Sequence, residues 1–479
     1  MILPATSRRS PSALMSIVPV AALLVGLAVV IATQGAGAIS EFSPYALLGA
    51  SAVAVVLAGV SGSLSRRGMA MGLRRSAAQV LPAVPMLVCI ALLATSWMLS
   101  GVVPILIDYG LAVLNPQWFL VTACCTCAVV SVLTGSSWST IATIGVALLG
   151  IGTTMGYGEG WVAGAIISGA YFGDKVSPLS DTTVVASSTC GVDLFEHIRG
   201  LMVTSAPAMC VALLVFGVRG LAGSPEMAPG HAAEIMNGLE THFNLTPWVL
   251  VIPAVTAVMI ALRVPTLITL ASGAVLGAVG VFVFQSGLDM GVGSLAAALW
   301  SGNDMATGTE SLDSLVSTGG VLGMVPTLML VLSAMVFGWM LIGTGMLGSI
   351  AGVLTRRMRR RESIVTATVG SGIFANMCTA DQYLSLIITG NMYRGVFRRS
   401  RISKRVLSRT IEDSVSVTSV LIPWNSCGVT QSTVLGVGTL TYLPYCVFNY
   451  LSPVFSILVA FVGIRLHSAV RRRMAAARG

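Results

Sequence analysis

The chain alternates long apolar runs with short polar segments. Many of the runs contain about 20 residues, the length that an α-helix needs to cross ~30 Å of hydrocarbon. This pattern predicts an all-α polytopic membrane protein with about ten transmembrane helices. The first run follows Arg8 and Arg9 as in a signal peptide, but it is long enough to span, and we interpret it as a retained helix. The predicted crossings lie at residues 13–33, 45–64, 80–107, 161–190, 200–218, 248–262, 264–284, 321–347, 410–432 and 443–464.

Two further apolar stretches, residues 119–149 and 364–393, are each interrupted in the middle by polar residues. Each is too short to form two full crossings. We therefore predict that both stretches are re-entrant hairpins, which enter the membrane and leave it on the same side.

Charge gives these segments an orientation. Charged residues make up only 9% of the chain and the mean hydropathy is +0.88, which leaves no room for a large aqueous domain. If the N-terminus is cytoplasmic, 25 of the 27 Lys and Arg residues fall on the cytoplasmic side, as membrane topology requires. The formal charge of +9 therefore reflects topology, and nucleic acid is not a predicted partner. Basic clusters flank 364–393 on both sides, so that hairpin opens inward, whereas 119–149 opens outward.

The crossing that follows each hairpin is interrupted as well. Residues 173–178 break the crossing at 161–190, and residues 423–428 break the oppositely directed crossing at 410–432. Opposed hairpins and opposed broken helices predict two inverted repeats, the architecture of secondary transporters. The predicted divisions are an N-terminal scaffold hairpin (1–78), a first repeat (79–219), an external loop with connecting helices (220–320), a second repeat (321–465) and a basic cytoplasmic tail (466–479).

Ionisable side chains inside apolar runs are the main candidates for function, because each costs from ~2.5 to above 10 kcal/mol in a membrane. Asp181 and Asp381 have no basic neighbour, so a cation and a proton can bind them in turn. Asp174 can instead neutralise Lys175, and Glu412 can pair with Arg409. The hairpin tips at 134–140 and 376–382 are rich in hydroxyl groups, which supply oxygens for Na⁺ or merely let helices pack closely.

Several motifs resemble the NhaC-type Na⁺/H⁺ antiporter family. They are Gly-Asp-Lys-Val-Ser-Pro-Leu-Ser-Asp-Thr-Thr at 173–183, Thr-Gly-Ser-Ser-Trp-Ser-Thr at 134–140, Thr-Ala-Asp-Gln-Tyr at 379–383, and Arg-Thr-Ile-Glu-Asp-Ser through Ile-Pro-Trp-Asn-Ser-Cys-Gly at 409–428. The resemblance runs in order from about residue 81 to residue 464. It implies a bacterial inner-membrane secondary transporter with an elevator-like mechanism, in a family that includes Na⁺/H⁺ antiporters and malate/lactate exchangers.

The resemblance also implies roles for single residues. The cation- and proton-binding carboxylates would be Asp174, Asp181, Asp381, Glu412 and Asp413. The residues lining the path would be Ser137, Thr140, Lys175, Ser177, Thr182, Thr183, Thr379, Asn425 and Ser426. The Na⁺ ligands would be drawn from Ser137, Asp181, Thr182, Asp381 and Asn425. Two positions depart from the family pattern, since Val184 replaces the usual Asn and Ser139 the usual Gly, and both bear on Na⁺ selectivity.

The leading hypothesis is therefore exchange of Na⁺ or Li⁺ for H⁺ at carboxylates between opposed hairpins. The alternative is Na⁺- or H⁺-coupled transport of a carboxylate or an amino acid, with Lys175 as the counter-charge for an anion. An intramembrane aspartyl protease is not favoured, because no second motif of that kind occurs, so the protein is not expected to be an enzyme.

No resident cofactor is predicted. The expected partners are the lipid bilayer, the transported ions and a second copy in a homodimer, and both termini are expected in the cytoplasm.

Overall fold

The computed structural model describes residues 11–35, 39–63, 83–223, 231–262, 264–288, 290–305, 316–350 and 360–476, together with Ala70, Arg74 and Asp313. Within these residues the regular structure is helical, apart from one antiparallel bridge between Asn303 and Thr318. Some residues used in the topology prediction lie outside the described residues. They are Arg8, Arg9, Arg66, Arg67, Arg75, Arg263, Arg356, Arg357, Arg359, Arg478, Glu226, Asp289 and Glu310.

The first half of the chain forms helices α1 to α10. Their bounds are α1 Ala13–Gln34, α2 Ile39–Val60, α3 Ala83–Leu99, α4 Val102–Val113, α5 Phe119–Thr134, α6 Ser137–Thr154, α7 Glu159–Val176, α8 Asp181–Cys190, α9 Leu194–Leu221 and α10 His231–His242. Helix α6 contains a π-helical turn at Ile141–Gly145. Helix α10 lies in the division 220–320, for which an external loop with connecting helices was predicted.

The second half forms helices α11 to α20. Their bounds are α11 Val251–Ala261, α12 Thr266–Phe284, α13 Val292–Ser301, α14 Val325–Gly343, α15 Arg361–Thr379, α16 Gln382–Arg399, α17 Lys404–Ile411, α18 Ser426–Leu435, α19 Thr439–Tyr442 and α20 Val447–Ala476. A π-helical turn at Glu412–Ser416 continues α17. Helix α13 lies near the end of the division predicted at 220–320.

The helices confirm an all-α polytopic membrane protein. Among the described residues, seven helices are long and apolar enough to cross a membrane, and three bent pairs raise the number to ten if each pair is one span. Helix α7 is not among the seven because Glu159, Asp174 and Lys175 make it too polar. Both arms of the first hairpin, Pro116–Thr134 and Ser137–Thr154, are counted among the seven helices.

The crossing predicted at 80–107 is bent rather than continuous. Helices α3 and α4 meet at 66° at Ser100 and Gly101, and Gly101 has a left-handed φ of +82°. The Gln285 side chain closes the bend, since Nε2 lies 3.1 Å from both the Ser100 and the Asn244 carbonyl oxygens, and Oε1 accepts the Asn244 N–H at 2.9 Å. A buried amide thus satisfies the backbone groups that the broken helix leaves open.

Both hairpins are longer than predicted. The first covers 119–154 rather than 119–149, and the second covers 361–399 rather than 364–393. Each arm has 16 to 19 residues, about 24–28 Å at 1.5 Å per residue, so the prediction that the stretches are too short for two spans is wrong for the first hairpin. In the second hairpin α15 packs along α16, whereas in the first α5 packs chiefly against α7.

Small residues allow α5 and α7 to approach closely. Gly169 and Gly173 face the carbonyl groups of Cys124 and Ala128, where a side chain would clash. The Ser131 hydroxyl donates to the Ala170 carbonyl at 2.6 Å. Glycine and serine at a helix contact are typical of membrane proteins, in which packing replaces the hydrophobic effect as the driving force. This contact fixes the first hairpin tip against the break that follows α7.

Candidate ion-binding cavity

The hairpin tips and helix breaks meet around a cavity of about 830 Å³. Its polar wall contains Asp174, Asp181 and Asp381, and none of the described residues that line it is basic. Helices α3, α11, α12 and α14 provide an apolar wall on which Met86, Leu87, Ile260, Leu270, Val331 and Met335 lie. Three carboxylates in one cavity create a negative potential that attracts cations.

Asp174 connects α7 to the first hairpin tip. Its Oδ2 accepts the Ser137 N–H at 3.1 Å and the Ser137 hydroxyl at 2.7 Å. Gly135 turns the chain there with a φ of +69°, and the Ser136 hydroxyl caps α6 by accepting the Ser139 N–H. The carboxylate that the sequence predicted as an ion site is thus also an acceptor for the start of α6.

Asp181 is the first residue of α8, directly after the break at 177–180. It lines the cavity, and its carboxylate makes no hydrogen bond within the part of the chain that the structure describes. Its neighbour Thr182 also lines the cavity, and the Thr182 hydroxyl lies 3.0 Å from that of Ser180. The break itself is two to four residues later than predicted, because Gly173, Asp174 and Lys175 remain helical. Asp181 is therefore the cavity carboxylate with the most oxygen atoms available to a ligand.

Asp381 occupies the tip of the second hairpin. Its Oδ1 accepts the Leu384 N–H at 2.7 Å and caps α16, while Ala380 turns the chain with a φ of +55°. The Thr379 hydroxyl donates to the Asp381 carbonyl at 3.0 Å. The Ala380 carbonyl accepts the Ser426 N–H at 2.8 Å, so the tip is joined to the start of α18.

The break in the second repeat is longer than predicted, since ordinary α-helix stops at Ile411 and resumes only at Ser426. Side chains from other elements replace the missing backbone hydrogen bonds. Asn376 donates to the Val415 carbonyl at 2.7 Å, Asn449 donates to the Val417 carbonyl at 2.8 Å, and the Tyr442 hydroxyl lies 2.9 Å from the Val420 carbonyl. Asn449 and Tyr442 were not predicted as positioning residues, although a polar Asn near the start of an apolar run is a signal for such a role.

Ser426 also lines the cavity, whereas the remaining predicted lining residues support the tips rather than face it. The Thr140 hydroxyl donates to the Ser136 carbonyl, that of Ser177 to the Val132 carbonyl, and that of Thr183 to the Lys175 carbonyl. Asn425 caps α18 by accepting the Cys427 N–H at 3.1 Å. The starts of α6, α8, α16 and α18 are thus all capped by side chains of the protein itself, which leaves little opportunity for an anionic ligand to bind there.

Lys175, Asp413 and Glu412 form a separate buried cluster and do not line the cavity. Lys175 Nζ forms an ion pair with Asp413 Oδ1 and donates to the Ser452 hydroxyl at 2.6 Å. The Thr204 hydroxyl donates to the same Asp413 oxygen at 3.0 Å. The alternative in which Asp174 neutralises Lys175 is therefore wrong in this structure, and so is the pairing of Glu412 with Arg409. The Arg409 Nε lies 3.9 Å from Asp413 Oδ2 instead.

Broken helices around an acidic cavity, in an all-helical polytopic chain, define a secondary transporter. Residues 169–464 match the family model described as "Na+/H+ antiporter family". The chain is 35% identical to the Na(+)/H(+) antiporter NhaC of Alkalihalophilus pseudofirmus, over 79% of this chain and 81% of the relative. It is 34% identical to the malate-2H(+)/Na(+)-lactate antiporter of Bacillus subtilis, over 80% and 81%. It is also 34% identical to the arginine/ornithine antiporter ArcD of Halobacterium salinarum, over 83% and 82%.

The chain belongs to the Na⁺/H⁺ antiporter family. The resemblance seen in its motifs is confirmed, as are its assignment to cation/proton antiporters at the level of the family and its role as a transporter rather than an enzyme. The roles of individual site residues stay predictions.

Proposed function

We propose that this protein exchanges Na⁺ or Li⁺ for H⁺ across the bacterial cytoplasmic membrane, and that the exchange takes place in the cavity. The observation that carries the proposal is the set of three carboxylates in a cavity lined by no basic side chain among the described residues. Asp181 is exposed to the cavity, and Asp174 and Asp381 are partly exposed. A carboxylate at membrane depth is nevertheless costly when it is charged and alone. It is therefore stabilised by either a cation or a proton, and the two compete for it.

Asp181 is the primary cation ligand in this proposal, because it has no hydrogen bond of its own in the described structure. Asp381 and Thr182 share the cavity wall with it and can add oxygens. Ser137 and Asn425, the other predicted Na⁺ ligands, are engaged with Asp174 and with the Cys427 N–H. Neither residue lines the cavity, so each would have to move to contribute to an ion site there.

A second candidate is transport of an organic cation, and the size of the cavity favours it. A volume of about 830 Å³ far exceeds the ~30 Å³ that one water molecule occupies in the liquid. The capped helix starts, the acidic wall and the absence of Lys175 from that wall argue against a dicarboxylate. A relative named for arginine and ornithine shows that the family includes a carrier of cationic amino acids.

The test is a cation jump on proteoliposomes that hold an imposed pH gradient, followed with a pH-sensitive dye. Na⁺ and Li⁺ should dissipate the gradient, and K⁺ should not. Asp181→Asn should lower the Na⁺ response at least tenfold, since an amide cannot exchange a proton for the ion. Asp193→Asn is the matched control, because Asp193 is exposed, caps α9 and lies outside the cavity.

A Na⁺ response of Asp181→Asn equal to that of the wild type would contradict the role of Asp181. If the wild-type protein responds to no inorganic cation, but external arginine or ornithine releases preloaded radiolabelled arginine, the second candidate replaces the first. Acceleration by malate or lactate would contradict both candidates.

A further inference from the structure

Glu412 is a carboxylate that the proposed exchange in the cavity does not use. It lies in the π-helical turn Glu412–Ser416, is 0% exposed and does not line the cavity. Neither of its carboxylate oxygens has a hydrogen-bond partner. π-helical turns are rare and occur frequently at functional sites.

Buried cations face this carboxylate without bonding to it. Lys175 is close enough to interact electrostatically with Glu412, but its Nζ is held by Asp413 and the Ser452 hydroxyl. Arg409, on the preceding helical turn, is directed toward Asp413. The cluster thus contains two cations and, when Glu412 is ionised, two carboxylates, so its net charge is zero. With a proton on Glu412 its net charge is +1.

Other titratable groups surround the turn on the elements packed against it. Asp174 is on α7, Cys190 on α8, His197 on α9, and Tyr393 and Arg394 on α16. His197 is fully buried, and its Nδ1 lies 2.9 Å from the Ser408 hydroxyl. The described polar side chains of α20 near the turn, Asn449 and Ser452, carry no charge. Lys175 and Arg409 are therefore the nearest compensation for a charge on Glu412.

This environment supports both forms of the carboxylate. Lys175 stabilises the ionised form through its field, and the Ser416 and Thr182 hydroxyls are near enough to favour it as well. Neither hydroxyl is at hydrogen-bond distance and geometry in this structure, so burial without a bonded donor favours the protonated form. A carboxylate with a purely structural role would be expected to accept hydrogen bonds, as Asp413 does from Lys175, Thr204 and Ser452.

We propose that Glu412 is a second proton-binding site, separate from the cavity, and that a proton on Glu412 is exchanged for a cation in the cavity. The proposal rests on the proposed function. This proton adds to a Glu412 oxygen, whereas the proton that competes with the cation adds to the Asp181 carboxylate, so one exchange involves two proton sites. They interact through charge, by way of Lys175, which directly follows Asp174 of the cavity wall.

Glu412→Gln separates the two roles, because glutamine keeps the shape of the side chain but cannot exchange a proton. Two reactions are compared in the same proteoliposomes: ²²Na⁺/Na⁺ exchange at equal pH, which moves no net protons, and Na⁺-driven H⁺ movement. We expect Glu412→Gln to keep the first within about threefold and to lower the number of H⁺ moved per Na⁺ to about half, because only the Asp181 proton is then exchanged. Asp181→Asn should lose both reactions. Glu196→Gln, on the exposed first turn of α9, should keep both.

Glu412→Asp keeps a carboxylate and tests whether loss of coupling reflects lost shape or lost acidity. It should move more H⁺ per Na⁺ than Glu412→Gln does, and both variants should match the wild type in gel filtration and thermal melting. The proposal is overturned if Glu412→Gln moves as many H⁺ per Na⁺ as the wild type, or if it is folded and loses both reactions. Failure of the wild type to exchange ²²Na⁺ would instead remove the proposed function on which this site depends.

Discussion

At the scale of single residues, the sequence neighbours Asp174 and Lys175 lie in different surroundings. Asp174 faces the cavity and holds the first hairpin tip through Ser137, while Lys175 faces away and pairs with Asp413, which is 238 positions later in the chain. The Asp413 oxygen that binds Lys175 also accepts hydrogen bonds from helices α9 and α20. The Lys175–Asp413 ion pair thus joins the two broken helices. It explains why Lys175 is buried without invoking a transported anion.

Lys175→Met tests that conclusion. Removing one partner of a buried ion pair leaves a charge uncompensated, which costs about 3–5 kcal/mol. We expect Lys175→Met to lower the melting temperature of the detergent-solubilised protein strongly, and Lys175→Met combined with Asp413→Asn to recover most of the loss. If Lys175→Met leaves stability unchanged and instead weakens competition by malate or lactate, Lys175 is a substrate ligand and our assignment is wrong.

At the scale of helices, the site depends on interruptions that other elements stabilise. Gly135 turns the first hairpin directly against the break after α7, and a Cβ at this position would lie 2.6 Å from the Leu179 carbonyl carbon. The break in the second repeat is supported by Asn376, Tyr442 and Asn449 from three different elements. Unpaired peptide groups are costly at membrane depth, so each interruption needs such partners.

Gly135→Ala and Gly436→Ala form a matched pair at this scale. Both glycines have a left-handed backbone, with φ of +69° and +68°, but a Cβ on Gly436 would meet nothing within 4 Å. Both substitutions carry about 1–2 kcal/mol of backbone strain. Only Gly135→Ala must also displace the segment at 177–180. We expect Gly135→Ala to reduce the initial rate of Na⁺-driven H⁺ movement at least tenfold, and Gly436→Ala to keep more than half of it. Equal rates would show that the close contact with Leu179 is unimportant.

At the scale of the whole molecule, charge asymmetry gives the fold its expected orientation. The basic residues concentrate in segments that the topology assigns to one side, including Arg398, Arg399 and Arg401 after the second hairpin. The helices alone do not show which loops face the cytoplasm. The positive-inside rule predicts that both termini and residues 400–403 are cytoplasmic, and that the turn at 155–158 lies on the opposite side of the membrane.

Reporter fusions in bacteria test this orientation. Green fluorescent protein attached after Gly479 or Arg401 should fluoresce, because it folds in the cytoplasm. Alkaline phosphatase attached after Gly158 should be active, because it needs the oxidising exterior, and it should be inactive after Gly479. The reverse pattern would invert the topology, and it would reverse the directions assigned to the two hairpins.

The sequence by itself determined the fold class, the family, the two interruptions and the carboxylates that are candidates for the site. Apolar length, charge asymmetry and motif order are properties of the chain that need no folded structure. Only the tertiary structure decided which carboxylates meet: Asp174, Asp181 and Asp381 line one cavity, whereas Asp413 and Glu412 lie with Lys175 in another place. The direction in which each side chain points depends on helix rotation and on partners hundreds of residues away. Lys175 and Asp174 are adjacent in sequence, yet they face different surroundings because helical neighbours diverge by about 100° around the helix axis.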